Sequence, residues 1–141
     1  MKNFDPVCIL LPSGIEGVGV FALRNFTIGE LLPFFQSQKN ISHWVSAVQL
    51  KKMTELQRRW CKRYGVLDDF GYWIPNNPHL MDYGWFMNHS DNPNTRCADD
   101  GHSYFVIIPI TKGQEITINY NEIGDDNPDH SETDLFWDRE Q

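Results

Sequence analysis

Three short stretches of this 141-residue chain hold residue types that could do chemistry. Residues 17–22 read GVGVFA, a Gly-x-Gly-x-x-Ala. That is a permitted form of the fingerprint that brings a backbone close to a dinucleotide pyrophosphate. Residues 85–96 read WFMNHSDNPNTR, with Asn88, His89, Ser90, Asp91, Asn92 and Asn94 behind an apolar run. Asn, Asp and Ser bond to their own neighbouring backbone, so this stretch reads as a tightly folded turn. Such a turn also presents side-chain amides and main-chain groups of the kind that recognise an adenine. Residues 112–120 read KGQEITINY, a turn followed by a strand that ends at Tyr120. A phenol there offers one directed hydrogen bond on an otherwise apolar ring. Each stretch has a plainer reading: a hairpin that needs glycines, a structural turn, a packing tyrosine.

The elements around these residues decide between readings. A dinucleotide site needs a helix after the glycines and an acid about 20 positions on. The chain instead continues LRNFTIGELL, where Thr27, Ile28 and Gly29 are poor helix residues. Strand-like runs bounded by Gly, Pro and Asn recur at Cys8–Leu11, Val18–Leu23, Leu31–Phe35, Tyr72–Ile74, Tyr104–Ile110 and Glu115–Tyr120. No alternation of strand and helix supports a doubly wound fold. A dinucleotide oxidoreductase therefore rests on the letters of GVGVFA alone. One helix is predicted, about Ser46 to Arg63, capped by Ser46 or Ser42. Met53, Leu56 and Trp60 would form its buried stripe, and Lys51, Lys52, Arg58, Arg59, Lys62 and Arg63 would cover the rest. That basic face reads as solvated, and a nucleic-acid partner is not expected.

At 40% hydrophobic and 22% charged residues, the chain has the composition of a folded soluble domain. The apolar run Val7–Leu11 is too short for a signal peptide or a membrane span, which points to an intracellular protein without a membrane partner. Cys8, Cys61 and Cys97 are odd in number and far apart, so they read as reduced packing thiols. The five histidines show no ligand spacing, and no metal site is expected. Residues 121–141 hold eight acids against one base, which accounts for the whole net charge of −7. The plain reading is a solvated terminus. The functional reading is a field that attracts a basic partner. Leu135, Phe136 and Trp137 within it favour more than solvation.

Taken together and in order, the three stretches resemble the SET-domain protein lysine methyltransferases. The family pattern is G-x-G-V-F-A near the start, R-F-x-N-H-S-x-x-P-N later and G-E-E-L-T-x-x-Y near the end. Here these stand at Gly17–Ala22, Trp85–Asn94 and Gly113–Tyr120. The resemblance implies a mainly β fold with a helical insert: a β-clip-like arrangement of several small sheets, with a knot-like threading near the active site. It implies a core over residues 1–120, an insert at about 37–80, and an acidic segment 121–141 that follows the core.

The resemblance also implies S-adenosylmethionine as cofactor. The Gly17, Val18, Gly19, Val20 and Phe21 backbone would approach its methionine part. Asn88 and His89 would hold its adenine, His89 through the main chain. A substrate lysine, in a protein or basic peptide such as a histone-like tail, would enter from the opposite face and meet the cofactor beside Tyr120. Lysine in water has a pKa near ~10.4, and a desolvated channel lowers it toward the nucleophilic amine. Tyr120 would align the reacting groups rather than act as a strong base. LFWD at 135–138 resembles the aromatic stretch that follows the family core. Phe136 and Trp137 would then fold over the channel, with Trp137 also against the cofactor. Tyr72 and Trp73 lie where the family's insert borders the channel.

The chain departs from the pattern in places. The zinc-binding cysteine clusters that flank many members are absent. NHSDNPN lacks the cysteine common after the serine. Ile118 stands where phenylalanine or tyrosine tunes methylation number, so mono- through trimethylation stay open. The other reading from this resemblance is a non-catalytic SET-fold interaction module, with the acidic segment and basic helix as docking surfaces. Nothing in the residues sets an oligomeric state.

Overall fold

Alternating burial along Cys8–Ala22 sets the first sheet. The computed structural model describes residues 6–35, 42–68 and 70–123. Strands β1 (Cys8–Pro12) and β2 (Val18–Ala22) form an antiparallel hairpin, in register from Cys8↔Ala22 to Pro12↔Val18. Cys8, Val20 and Ala22 point to the buried side, as a period of two requires. The turn between the strands closes through Ser13 N–H to the Gly17 carbonyl at 2.8 Å. Gly17 there has φ 50°, a conformation that favours glycine.

Later strands complete this sheet. β6 (Asn88–His89) and β9 (Glu115–Ile118) pair in parallel, and β9 also pairs antiparallel with β2, giving the order β1-β2-β9-β6. Ile116 and Ile118 are buried on the same side as Val20. A separate two-stranded sheet joins β7 (Thr95–Cys97) to β8 (Tyr104–Val106). These strands belong to one unit, formed by 1–38 with 81–122.

Two expected strands are cut short by proline. Leu31 makes only an isolated bridge to Phe105, and Leu32 N–H bonds to the Tyr104 carbonyl at 2.9 Å. Pro33 then offers no N–H, and Phe35 takes φ 61°, outside the extended region. The run Tyr104–Ile110 likewise ends as a strand at Val106. Ile107 N–H turns to the Asn94 carbonyl at 2.9 Å, and Pro109 precedes an isolated bridge from Ile110 to Phe26.

The second unit spans the insert, described here for 42–68 and 70–80. β3 (Ser42–Ser46), β4 (Val66–Asp68) and β5 (Gly71–Pro75) form an antiparallel sheet in the order β3-β5-β4. The single predicted helix is two helices, α1 (Ala47–Lys51) and α2 (Glu55–Tyr64). Each begins with its own capping box, Ser46 with Gln49 and Thr54 with Gln57. The second box ends the first helix and starts another, since the cap residue must leave helical φ and ψ. The expected stripe changes with it. Met53 and Trp60 do pack on the core of Val45, Leu50, Cys61, Leu67, Tyr72 and Ile74, but Leu56 is 73% exposed. Met53 precedes α2, so the spacing that linked it to Leu56 was not helical.

Candidate active site

The three chemistry-bearing stretches converge on β9. Phe21 lies opposite Glu115 and Asn88 opposite Thr117, so Gly19, Phe21, Glu115, Thr117 and Asn88 share one face of the sheet. Gly19 leaves a notch in that face. A Cβ built on it would lie 2.2 Å from Glu115 Oε2 and 3.0 Å from Asn88 Nδ2. The glycine is therefore required by close approach. The group that comes close there is Glu115.

Glu115 and Asn88 form the centre of a polar network. The Glu115 carboxylate accepts from Ser13 Oγ at 2.8 and 2.9 Å and from Asn88 Nδ2 at 2.8 Å. Asn88 Nδ2 also lies 3.1 Å from the Glu16 carbonyl and 3.1 Å from the Val18 carbonyl. Three acceptors around one NH2 group assign the amide orientation. Asn88 is 1% exposed, and a buried amide needs such partners to offset its lost hydration. The result pins the Ser13–Val18 turn to β6 and β9 through side chains.

Asn94 braces β9 in a second way. Its side-chain amide donates to the Glu115 carbonyl at 2.8 Å and accepts from Thr117 N–H at 2.9 Å. That is the pattern a neighbouring strand would supply. Thr95 Oγ1 adds a bond to the Thr117 carbonyl at 2.8 Å.

Tyr120 lies two residues past the end of β9 and opens a 3-10 turn, Tyr120–Glu122, rather than ending a strand. Its hydroxyl donates to the Met87 carbonyl at 2.8 Å. Its backbone N–H donates to His89 Nδ1 at 3.0 Å, and the two rings are 5.3 Å apart. His89 Nε2 is 2.9 Å from Asp91 Oδ1. A phenol oxygen that donates its proton in this way can act otherwise only as an acceptor.

Burial favours the neutral form of three other groups in this unit. Burial pushes the Tyr104 phenol far above its ordinary range, helped by the Cys97 thiol beside it. Burial also raises the thiols of Cys97 and Cys8, the latter to about 11 against a small opposing effect of Arg24. Thiols raised this way are poor nucleophiles. Among the described residues no group of three His, Cys, Asp or Glu side chains gathers for a metal ion.

The structure thus brings Gly17–Phe21, Asn88, His89 and Tyr120 onto one sheet and its margin. Val20 is fully buried on the other face, so it offers only main-chain atoms to a ligand. Tyr72 and Trp73 belong to the second unit. Tyr72 is in its core at 3% exposure, while Trp73, opposite Trp44, is 42% exposed. Phe136 and Trp137 lie outside the described residues. Sequence reasoning missed Ser13, Met87, Asn94 and Glu115 as site residues. For Glu115 a signal existed: a carboxylate at period two from Thr117 in an otherwise apolar strand needs a partner on its face.

The SET domain family profile matches residues 17–121. No curated protein sequence matches the chain. Among solved structures, one described as a candidate histone methyltransferase of Plasmodium falciparum aligns with TM-score 0.52 at 19% identity, over 83% of this chain and 95% of that one. A Chaetomium thermophilum Polycomb Repressive Complex 2, humanized and bound to an inhibitor, aligns with TM-score 0.51 at 19% identity, over 84% of this chain and 15% of that one. An apo form of that complex, mutated in its Ezh2 chain, aligns with TM-score 0.57 at 18% identity, over 89% of this chain and 16% of that one. The chain therefore spans about one sixth of the matched Polycomb chains. These likenesses concern the fold: mostly strands, in several small sheets, with few helices. With the profile covering most of its length, and with three converging motifs at β9, the chain belongs to the SET domain family.

Proposed function

We propose that this protein transfers a methyl group from S-adenosylmethionine to the side-chain amine of a lysine in a protein or basic peptide. The observation that carries the reading is the setting of Tyr120. Its hydroxyl proton is committed to the Met87 carbonyl, so its oxygen can only accept at the point where the three motifs meet.

The residues present fit the cofactor. The Gly17–Phe21 segment runs beside β9 on the same sheet as Asn88 and His89, where its main-chain groups can meet a ligand. The turn before it is fixed from below by Ser13, Asn88 and Glu115. The main chain of Gly17–Phe21, Asn88 and His89 would hold the group, with Trp137 as a further wall. When bound, S-adenosylmethionine supplies a sulfonium methyl, whose C–S bond breaks as the amine N–C bond forms and the nitrogen loses a proton.

The protein's part is alignment and desolvation. Tyr120 Oη accepts one N–H of the lysine amine and so directs the nitrogen lone pair. Holding reacting groups in such an orientation can lower a barrier by ~7–11 kcal/mol at best. An apolar channel disfavours the ammonium form and raises the fraction of free amine. Phe136 and Trp137 are the aromatic candidates for that channel. The acidic segment 121–141 would raise the local concentration of a basic peptide. A likeness to a structure described as a histone methyltransferase supports a histone-like tail as substrate. No helix among the described residues is long and apolar enough to cross a membrane.

The test measures cofactor affinity by calorimetry and transfer of labelled methyl groups to lysine-rich peptides. Tyr120→Phe should lower kcat by about 100-fold or more while the cofactor Kd stays within about twofold. No binding of S-adenosylmethionine at millimolar concentration, or equal turnover in Tyr120→Phe, would overturn the proposal.

A further inference from the structure

Both handles on Tyr120 come from one three-residue run. The Met87 carbonyl takes the hydroxyl at one end, and the His89 ring takes the backbone N–H at the other. Tyr120 N–H can only donate, so His89 Nδ1 must be the acceptor. A neutral imidazole with an accepting Nδ1 carries its proton on Nε2. Nε2 lies 2.9 Å from Asp91 Oδ1, which can only accept while ionised. The donors therefore run in one direction, from Tyr120 N–H to His89 and from His89 to Asp91. The far end of the same 3-10 turn is tied separately, by Glu122 to Arg96 at 3.5 Å.

We propose that His89 and Asp91 are positioning residues: Asp91 selects the His89 tautomer, and His89 thereby holds Tyr120 at the geometry its hydroxyl needs. The His89 side chain then does not serve the cofactor, whatever its main chain does. Asp91 is well exposed, with a side-chain accessibility of 86%, so its contribution is a bias rather than a lock. His89 is the stronger member, because it accepts directly from a partly buried backbone N–H. The consequence for turnover rests on the methyltransferase reading. The tautomer and the amide bond do not.

The experiment reads the full-length protein by 15N NMR of the histidine rings and by hydrogen exchange of the Tyr120 amide, then by kinetics. Wild type should show His89 with its proton on Nε2 and a protected Tyr120 amide. Asp91→Ala should mix the tautomers and speed exchange by about 2- to 5-fold. His89→Leu should speed exchange and lower kcat by roughly 10- to 100-fold, with cofactor Kd unchanged within about twofold. His89→Asn, which places a side-chain oxygen near the position of Nδ1, should recover most of both; it serves as the check if His89→Leu folds poorly. A wild-type proton on Nδ1, or a Tyr120 amide equally protected in His89→Leu, would overturn the proposal. So would loss of cofactor binding in His89→Asn. The Nε2 tautomer and a protected amide in a protein that transfers no methyl group would support the positioning and overturn the function instead.

Discussion

Replacing Gly19 by alanine tests the point where the glycine motif and its packing meet. The new methyl would lie 2.2 Å from Glu115 Oε2 and 2.8 Å from its Cδ. Ordinary contact needs more than 3.4 Å, so the carboxylate must retreat by over an ångström. A glutamate end can move, but this one holds Ser13 Oγ and Asn88 Nδ2. Moving it gives up two hydrogen bonds to a charged acceptor, each worth about 1.5–3 kcal/mol, the Ser13 bond less because it is partly exposed. Asn88 keeps its backbone acceptors. A net cost of about 2–3 kcal/mol follows, or a fall in Tm of about 6–10 °C for a chain of this size. The assay is urea unfolding of wild type, Gly19→Ala, Glu115→Ala and the double variant. If the collision with Glu115 carries the cost, alanine at 19 should be nearly neutral once Glu115 is gone. The coupling in that cycle should be at least about 1.5 kcal/mol. An equal penalty in both backgrounds would refute the notch and place the cost in the backbone of β2.

Two further predictions address other elements. Thr54→Ala should destabilise the protein by about 1 kcal/mol through loss of the capping box on α2, measured by urea unfolding, with Thr54→Asp recovering most of it. The Asp100 carboxyl is drawn down to about 2 by the Ser103 hydroxyl, then by the Ser103 and His102 N–H groups. A depressed pKa in the folded state means its stabilising contribution is complete above the unfolded value, near ~3.9. That contribution is lost as pH falls through about 2. A 13C titration of the Asp100 carboxyl should show the low midpoint in wild type and a midpoint raised part of the way toward the ordinary value in Ser103→Ala, since the two N–H bonds remain; an unmoved midpoint would rule out the hydroxyl as the leading cause.

The sequence carried some of this architecture openly and hid the rest for identifiable reasons. Val18–Ala22 and Glu115–Ile118 were readable because alternation survives in them and glycine turns bound them. The bends around Pro33 and Pro109 follow from a missing N–H, which the same residues announce, yet apolar runs across them read as longer strands. The split of the helix was written in Thr54-x-x-Gln57, a second capping box only eight residues after the first. β6 could not be read locally. Asn and His favour turns over strands, and a two-residue parallel strand exists only because β9 and the buried Asn88 network hold it. The same holds for Asn94, whose side chain performs a strand's hydrogen bonding from within a turn. The resemblance placed the main site residues, whereas Ser13, Met87 and Glu115 act through contacts spanning 102, 33 and 27 positions.

Those long spans explain why β9 is the element on which the site depends. Its four residues divide by face. Ile116 and Ile118 enter the core, and Glu115 and Thr117 take the polar contacts of Ser13, Asn88 and Asn94. A slip by one residue would drive a carboxylate into the core and leave two isoleucines facing the notch, so register here is strongly specified. Ser13, Asn88 and Asn94 also reach β9 from three different loops or strands. Each reads the same register, and each fixes a different element beside β9: the glycine turn, β6 and the strand leading to Tyr120. Ligand geometry and core register are thus one constraint. A substitution on the core face, such as Ile116→Ala, is for that reason expected to loosen the site as well as the fold, although Ile116 has no exposed surface with which to touch a ligand.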